Sequence, residues 1–340
     1  MTIANSVLDK ITVIVFTYNR NFFFSRICNY LHSVGFPRII IADSSSTFNQ
    51  KLHQSYIGSL NSPHISLEKF AEDIHPLKKI VDALKKSDTE FVVCCSDKDF
   101  PIPEGIVQGI SFLEQNPGIS VIDGLYHSIK LSHARNFSFS SIYHCYDFRY
   151  RDENPKIRLN AYLSQYSIPI FYAIHRRDML IFSLTTYLND FEGYCEPRFG
   201  EIFPACIDII HGKYERLPVP YWYRSGYGPS GASVSPTMTD YARSGTLQNY
   251  YSLFEKGISE AFLDQYPEYD NNEIVNLIKS SFAHYIINKG FPINPVTLDI
   301  NRKKYLQNQF LKIGHHALQK MTPKRESPIL TNIVPYTKMD

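Results

Sequence analysis

The sequence predicts an α/β protein with a mostly parallel sheet that is flanked by helices and followed by a small helical region. Two observations in the first hundred residues carry this prediction. Apolar runs of strand length alternate with amphipathic runs of helix length, and three of the apolar runs end in polar residues. Continuous β-branched runs are typical of strands covered on both faces, and strands that alternate with helices pair in parallel through right-handed crossovers.

The first elements follow from the spacing of the apolar residues. Buried strands are predicted for "ITVIVFTYN" (11–19), "PRIIIADSSS" (37–46), the less apolar "ISLEKF" (65–70) and "EFVVCCSDKD" (90–99). Amphipathic helices are predicted for "FFFSRICNYLHSVG" (22–35) and "PLKKIVDALKKS" (76–87). Gly35 is the expected C-cap of the first helix, because glycine adopts the left-handed conformation without a steric cost.

The later elements are less regular. Helices are predicted for 105–118, 179–188 and 201–212, and strands for 119–128 and 168–178. The stretch "RSGYGPSGASVSP" (224–236) is rich in Gly, Ser and Pro, and three amphipathic helices are predicted after it, the last near 301–320. We therefore expect a larger unit over 1–230 and a helical region over 231–340.

The composition is that of an ordinary globular protein. Hydrophobic residues make up 44% of the chain and the formal net charge is +2, which argues against a nucleic-acid binder with its concentrated basic face. The sequence shows no signal peptide and no apolar run of about 18–20 residues that would span a membrane. The six cysteines lack zinc-ligand spacing, which indicates buried thiols in a reducing compartment. We expect a cytoplasmic protein.

Two carboxylates follow the apolar run "FVVCCS" (91–96) directly. Asp97 and Asp99 are separated only by Lys98. Side chains two residues apart on an extended chain point to the same side, so both carboxylates can face one ligand. Two close carboxylates repel unless a cation lies between them, and Mg²⁺ or Mn²⁺ would keep coordination positions open for phosphate oxygens. The pair therefore predicts a metal site, with a solvated turn as the alternative.

Polar residues end two further predicted strands. The first strand runs into Thr17-Tyr18-Asn19-Arg20, and the second ends in Asp43-Ser44-Ser45-Ser46. Ligands of open parallel sheets bind outside the carboxyl ends of the strands. The convergence of three polar strand ends favours a ligand site over a chance turn.

In this order and at these separations, "VIVFTYNR" (13–20), "IIIADSSS" (39–46) and "FVVCCSDKDF" (91–100) resemble the N-terminal half of a GT-A-fold, family-2-like glycosyltransferase. The resemblance covers about residues 10–125. It implies a hexosyltransferase-type enzyme that moves a sugar from a nucleotide diphosphate sugar, with a UDP-sugar favoured, to an acceptor hydroxyl with inversion. It also implies Mn²⁺ or Mg²⁺ as cofactor. Lys98 replaces the middle acid of a three-acid form of the last motif and leaves the outer pair intact.

The resemblance implies roles for individual residues. Those implied to bind the nucleotide are Thr17, Tyr18, Arg20, Asp43, Ser44, Lys79 and Asp97. Asp43 would accept a hydrogen bond from the base, Asp97 would lie near the ribose or the metal, and Asp99 would ligate the metal directly. For Lys79, a solvent-facing lysine on its helix is an equally weighted alternative.

An inverting transfer needs a carboxylate that accepts the proton of the acceptor hydroxyl. The resemblance implies that a helix start in the second half of the domain supplies it, and the candidates are Asp190, Glu192, Glu196 and Glu201. Glu201 is preferred because it begins the apolar run "EIFPACIDIIHG", where the helix N-terminus would keep its carboxylate ionised. An ordinary first-turn glutamate is the alternative, and Asp190 and Glu192 are the reserves.

The last predicted helix carries basic residues beside apolar ones, namely Arg302, Lys303, Lys304, Lys312, Lys320, Lys324 and Arg325. Such a helix can lie on an anionic membrane, which would suit a lipid-linked saccharide acceptor and a peripheral position at the inner face of the membrane. A solvated helix face is the favoured alternative. The glycines Gly226, Gly228 and Gly231 suit either a loop that closes over the donor or a linker. The sequence leaves a homo-oligomer open.

Two other function classes remain beside a glycosyltransferase of bacterial-type surface polysaccharide or glycoconjugate synthesis. A nucleotidyltransferase of sugar phosphates also uses paired acids, but its Gly-rich phosphate loop is absent, since "FTYNRNFFF" (16–24) contains no glycine. A catalytically silent nucleotide-sugar-binding module would keep the fold without the chemistry. Lys98, and the Arg224 of "YWYRSGYG" (221–228) where the family often has a His, keep this last alternative open.

Overall fold

The computed structural model describes residues 3–131, 137–142, 149–165, 170–191, 196–226 and 235–289. Its strands are β1 (Ile11–Thr17), β2 (Ile39–Asp43), β3 (Ile65–Lys69), β4 (Phe91–Ser96), β5 (Asp99–Pro101), β6 (Ile119–Leu131), β7 (Phe137–Ile142), β8 (Ile174–Arg176) and β9 (Lys213–Ser225). These strands form one sheet in the order β3-β2-β1-β4-β8-β6-β9-β5, with β7 paired to β6.

The sheet has a parallel half and a mixed half. The strands β3, β2, β1 and β4 pair in parallel, as the alternation of strands and helices predicts. In the other half, β8 is antiparallel to both β4 and β6, whereas β9 is parallel to β6. The predicted mostly parallel sheet is therefore uniformly parallel in its first half and mixed in its second half.

The helices are α1 (Ile3–Leu8), α2 (Asn21–Val34), α3 (Thr47–Leu60), α4 (Pro76–Leu84), α5 (Pro103–Gln115), α6 (Pro155–Gln165), α7 (Arg177–Asp190), α8 (Pro197–His211), α9 (Met238–Ser244), α10 (Leu247–Gln265) and α11 (Asn271–Lys289). The predicted C-cap of α2 is confirmed, since Gly35 has φ 77° and its N–H donates to the carbonyl of Leu31. A short 3₁₀ turn, Ile170–Tyr172, precedes β8.

The helix α3 is missing from the sequence-based prediction, as are the helices α1, α6 and α9 and the strands β5, β7 and β9. The α3 helix buries only His53 and Ile57, so its sequence has almost no apolar stripe. Its ends are nevertheless marked, because the Ser46 side chain accepts a hydrogen bond from the Asn49 N–H and Asn61 closes the helix at φ 48°. These are the residues that a serine N-cap and a left-handed C-cap require.

The central strands are buried on both faces because helices cover both sides of the sheet. Val13 and Val15 of β1 belong to a core shared with α2 and α5. Ile14, between them, belongs to a second core shared with α4 and α7. Alternate residues of a strand point to opposite faces, so a continuous apolar run is what this position requires.

A third core joins the helices of the second half. Phe203 and Ile207 of α8 lie in it together with Phe254 of α10 and Ile278 of α11. The helices after the predicted boundary therefore share a core with α8, which precedes it. The boundary itself, at 230/231, falls outside the described residues, as do Gly228, Gly231 and the basic segment 301–320.

The cysteines and the helices give two further results. Within the described ranges, Cys28, Cys94, Cys95 and Cys206 are buried free thiols, as predicted. Cys145 and Cys195 lie outside those ranges. In the part of the chain that the structure covers, no helix combines the length and the apolar character that a membrane crossing needs.

Candidate functional site at the carboxyl edge of the sheet

The polar ends of β1, β2 and β4 meet at one edge of the sheet. Thr17 is the register partner of Asp43, and Phe16 is the partner of Ser96, which places Asp97 next to Thr17. The Thr17 hydroxyl donates to Asp97 Oδ2 at 2.8 Å. The convergence predicted from the sequence is therefore present, because parallel neighbours end at the same edge.

Asp97 lies beneath an arginine. Arg20 Nη2 is 2.7 Å from Asp97 Oδ1, and the Asp97 side chain is 0% exposed whereas that of Arg20 is 28% exposed. Burial raises the pKa of Asp97 to about 6, although Arg20 and the Thr17 hydroxyl favour the charged form. A ligand that approaches this edge therefore meets the guanidinium before the carboxylate.

Asp99 lies in a separate environment, beside Arg224 and Trp222. β4 ends at Ser96 and Asp99 begins β5, so the turn between them breaks the extended chain that the sequence-based argument assumed. Arg224 Nε is 3.5 Å from Asp99 Oδ2. Burial raises the pKa of Asp99, against the opposing effect of Arg224. The assumption of one extended strand is therefore wrong, because a turn lies between β4 and β5. That both acids face one ligand stays a prediction, since Asp99 is close enough to add to the effect of burial in raising the pKa of Asp97.

The two acids do not fit a shared Mn²⁺ or Mg²⁺ site. Asp97 contacts Thr17 and Arg20 through its two oxygens, and Oδ2 of Asp99 lies beside Arg224. The remaining oxygen, Asp99 Oδ1, is buried without a hydrogen-bond partner. An ion shared by the two acids would have to displace Arg20 from Asp97 or Arg224 from Asp99, and Mg²⁺ or Mn²⁺ would also need free positions for water and phosphate oxygens. Among the described residues, no group of three or more His, Cys, Asp or Glu is arranged to hold a metal.

Asp43 is fully buried and has protein partners at both oxygens. The Ser45 N–H donates to Oδ1 at 2.8 Å, and His53 Nδ1 donates to Oδ2 at 2.8 Å. The His53 ring in turn stacks on Phe24 at 3.7 Å between centroids. Burial alone would raise the pKa of Asp43, but the hydrogen bonds from His53 and Ser45 outweigh it, so the pKa is lowered. The predicted base contact of Asp43 stays a prediction. In the structure, its carboxylate fixes the loop after β2 by accepting hydrogen bonds from Ser45 and His53.

The loop after β1 is fixed in an uncommon conformation. Asn19 has φ 53°. Its N–H donates to the Ser45 hydroxyl at 2.7 Å, and its side-chain oxygen accepts from the Ser46 N–H at 2.8 Å. Asn tolerates the left-handed region better than most residues, so the position suits it. Tyr18, which precedes it, is about half exposed and presents an aromatic face at the rim of the site.

Lys79 lies inside this edge rather than in solvent. Its Nζ donates to the Thr17 carbonyl at 3.0 Å and to the Ser44 hydroxyl at 2.8 Å, so it joins the ends of β1 and β2. Burial lowers the pKa of Lys79 to about 8, although Asp43 and Asp97 favour its charged form. The solvent-facing alternative for Lys79 is therefore wrong.

The four candidate bases lie in different surroundings. Glu196 is the N-cap of α8, and its oxygens accept from the Phe199 N–H and the Tyr241 hydroxyl, which leaves it a structural role. Because α8 begins at Pro197, Glu201 lies one turn inside the helix and not at its start, where the sequence analysis placed it. Asp190 ends α7 beside Gly257 of α10.

The start of α8 packs on α4, but Glu201 itself lies near Tyr162 of α6 and Tyr285 of α11, where its charge adds to the effect of burial in raising their pKa values. A Cβ added to Gly200 would lie 3.2 Å from the side chain of Leu77 on α4, the helix that carries Lys79. Glu201 follows Gly200 directly and is half-buried. Asp190 instead faces α10, where burial and Glu260 raise its pKa. Glu192 lies outside the described residues.

The sequence analysis missed His53 and Arg26 as parts of the site. His53 lies on the helix that was not predicted, so its pairing with Asp43 had no support in the sequence pattern. Arg26 lies within the apolar stripe of α2, is 6% exposed, and donates through Nη2 to the Lys98 carbonyl at 3.1 Å. A buried arginine in an apolar stripe is itself a signal, because arginine is rarely buried without a partner.

Replacing Asp43 by alanine should weaken the binding of free UDP and of the sugar donor by a similar factor of about 10 or more. The reason is that Ser45 and His53 lose their acceptor, so the loop after β2, which is predicted to border the nucleotide, loses its position. The effect should appear in KM in steady-state kinetics, since the contact is the same in ground and transition states. An unchanged KM with a collapsed kcat would contradict this role.

The matched control is Asp88→Ala, because the Asp88 side chain is 72% exposed at the opposite edge of the sheet. Since the folded pKa of Asp43 is lowered, its contribution to stability is present at neutral pH and is lost as the pH falls through that value. The difference in free energy of unfolding between wild type and Asp43→Ala should therefore shrink on acidification.

Comparison with known proteins identifies the fold. No protein family model and no curated protein matches the sequence. S. aureus TarS 1-349 in complex with UDP-GlcNAc is similar at a TM-score of 0.55 and 13% identity, over 96% of this chain and 89% of that one. The complex of TarS 1-349 with UDP gives 0.51 at 13% identity over the same shares. A longer TarS structure gives 0.52 at 14% identity, over 96% of this chain and 55% of that one.

TarS is a GT-A-type glycosyltransferase. At this low level of identity, the likeness establishes the fold. The predicted GT-A-type α/β fold with helices around the sheet and a helical C-terminal region is thereby confirmed.

Proposed function

We propose that this chain is a glycosyltransferase that moves a hexose-type sugar from a UDP-sugar to an acceptor hydroxyl. One observation carries the proposal: the network of Thr17, Ser44, Lys79 and Asp97 joins three strand ends at the carboxyl edge, beneath the partly exposed Arg20. Open α/β sheets bind their ligands at that edge. The similar structure of TarS holds UDP-GlcNAc, which supports a UDP-sugar as the donor class.

The donor would lie across the ends of β1 and β2. Tyr18 offers an exposed ring on which a flat base can stack, and Arg20 offers a guanidinium to a phosphate. Ser44 and Lys79 lie directly beneath and hold the two strand ends together. Rigid support of this kind keeps the contacting groups in position before the ligand arrives.

The transfer itself would be a single displacement with inversion. The acceptor oxygen attacks the anomeric carbon on the face opposite the diphosphate, the carbon–oxygen bond to the nucleotide breaks, and UDP leaves. Glu201 would accept the hydroxyl proton, which is the role that the sequence analysis gives it. Asp190 is the weaker candidate, since its neighbours belong to α10.

The acceptor would be a saccharide or a lipid-linked saccharide, in surface polysaccharide or glycoconjugate synthesis. The predicted dependence on a divalent metal is a separate matter, because Asp97 and Asp99 do not fit a shared ion. A catalytically silent binding module is the second candidate, since it would keep the same nucleotide contacts without transfer.

The assay is the release of UDP from a panel of UDP-sugars, with and without saccharide acceptors, together with thermal shift by UDP. We expect UDP to raise the melting temperature and at least one UDP-sugar to release UDP. Binding without any release would favour the silent module. The absence of both binding and release would contradict the proposed function.

Two adjacent lysines of α4 give a matched pair of variants for this assay. Lys79→Met should weaken UDP binding about 10-fold, because the ends of β1 and β2 lose the cation that joins them. Lys78→Met should leave binding unchanged, because Lys78 is half exposed and pairs with Asp82 within its own helix. Calorimetric titration with UDP measures both, and equal affinities in the two variants would show that Lys79 does not support the site.

A further inference from the structure

The cations of the site lie above its acids. The Arg20 side chain is 28% exposed and that of its partner Asp97 is 0% exposed. The Arg224 side chain is 24% exposed and that of its partner Asp99 is 2% exposed. In both pairs, the group that a ligand can reach is the guanidinium, and the carboxylate beneath holds it in place.

Aromatic rings fix both guanidiniums further. The Arg224 guanidinium carbon lies 4.5 Å from the centroid of the Tyr172 ring, and that of Arg20 lies 5.6 Å from the centroid of Phe23. A guanidinium over a ring face is held by the ring quadrupole and keeps its hydrogen-bond donors at the edge of its plane. Both arginines are therefore oriented before a ligand binds.

The site has an excess of positive charge. The carboxylates of Asp43, Asp97 and Asp99 lie among more numerous cationic side chains, which are Arg20, Arg26, Lys79, Lys98 and Arg224. Both phosphates of a sugar nucleotide are anions, so the excess suits a diphosphate as the site stands. A divalent cation at Asp99 would add to the excess and would be repelled by Arg224 beside it.

We infer that this chain binds the diphosphate of its donor through Arg20 and Arg224 and needs no divalent cation to do so. The inference rests on the proposed function and deepens it, because it names the groups that neutralise the diphosphate. Arginine suits this task, since its planar fork matches two phosphate oxygens at once. Asp97 and Asp99 then serve as positioning residues for the two arginines.

The test is calorimetric titration of the full chain with UDP, once in excess EDTA and once in Mn²⁺ without EDTA. We expect Kd values within about twofold of each other, and UDP-sugar turnover that survives EDTA. Binding that appears only with Mn²⁺ would overturn the inference and leave the proposed function standing. No binding of UDP under either condition would contradict the proposed function itself.

Variants of Arg224 separate a phosphate contact from a structural role. In EDTA, Arg224→Ala should weaken UDP binding about 10- to 50-fold, and Arg224→Lys should recover part of the loss because it restores the charge without the fork. The control is Arg38→Ala, since Arg38 lies at the opposite end of β2 and is about half exposed. The affinity of Arg224→Ala should also depend less on salt, because one phosphate contact is gone. An unchanged affinity or an unchanged salt dependence in Arg224→Ala would overturn the inference.

Discussion

Replacing Glu201 by glutamine is expected to slow sugar transfer by about 10²–10⁴-fold, the usual cost of removing a general base. Glutamine keeps the size of the side chain but cannot accept the proton of the acceptor hydroxyl. UDP affinity should persist, because Glu201 lies on α8, whereas the strand ends that are proposed to bind the nucleotide belong to β1, β2 and β4. The measurement is steady-state transfer as a function of pH, and the acidic limb of the profile should disappear in the variant.

Two further variants make the result specific. Glu104→Gln is the control, because Glu104 is an exposed glutamate in the first turn of α5 and should change nothing. Asp190→Asn tests the reserve candidate at the end of α7. Near-full transfer by Glu201→Gln, together with a collapse in Asp190→Asn or Glu192→Gln, would assign the base to the residues before α8. The proposed glycosyltransferase activity would stand in that case.

Replacing Asp123 by alanine is expected to lower the free energy of unfolding by about 3–5 kcal/mol, which is the cost of leaving a buried charge without its partner. Asp123 accepts from Arg216 Nε at 2.8 Å and from Arg216 Nη2 at 2.7 Å, and the Tyr214 hydroxyl donates to it at 2.7 Å. Both side chains of the ion pair are fully buried. Burial alone would lower the pKa of Arg216, but Asp123 and Tyr214 raise it. Because arginine is not deprotonated in proteins, the substitution leaves a buried guanidinium without its counter-ion.

Denaturant unfolding followed by circular dichroism measures this loss. The double variant Asp123→Leu/Arg216→Met should recover most of it, because an apolar pair of similar size avoids the unpaired charge. The slope of the free energy with denaturant should be similar in all variants if each unfolds from the same compact state. A loss of less than about 1 kcal/mol in Asp123→Ala would show that water or a neighbouring group reaches Arg216.

The parallel half of the sheet could be predicted from the sequence because its strands are buried on both faces. Continuous apolar runs such as Ile11–Thr17 leave few alternatives to a covered strand, and the polar residues after them mark the carboxyl edge. The convergence of Thr17, Asp43 and Asp97 followed from that edge alone. The position of Lys79 was harder to predict, because a lysine on an amphipathic helix is expected to face solvent whereas its side chain is buried in the fold.

The parts that escaped prediction depend on contacts between distant residues. The helix α3 buries little apolar surface, so its sequence has no apolar stripe that would predict a helix. His53, which lies on it, was therefore not predicted either. The turn at residues 97–98 lies between Asp97 and Asp99. Arg20, the partner of Asp97, precedes it by 77 residues, and Arg224, the partner of Asp99, follows it by 125 residues. The start of α8 is set by Glu196, whose capping contact with Phe199 is not visible in the run of apolar residues that begins at Glu201.

The central claim is that a nucleoside diphosphate binds at the carboxyl edge of the sheet, and a crystal structure of the chain with UDP tests it most directly. We predict that the diphosphate lies within hydrogen-bond distance of Arg20 and Arg224 and that the base lies over the ends of β1 and β2, near Tyr18. A diphosphate bound elsewhere on the molecule, or no bound UDP at saturating concentration, would contradict the claim.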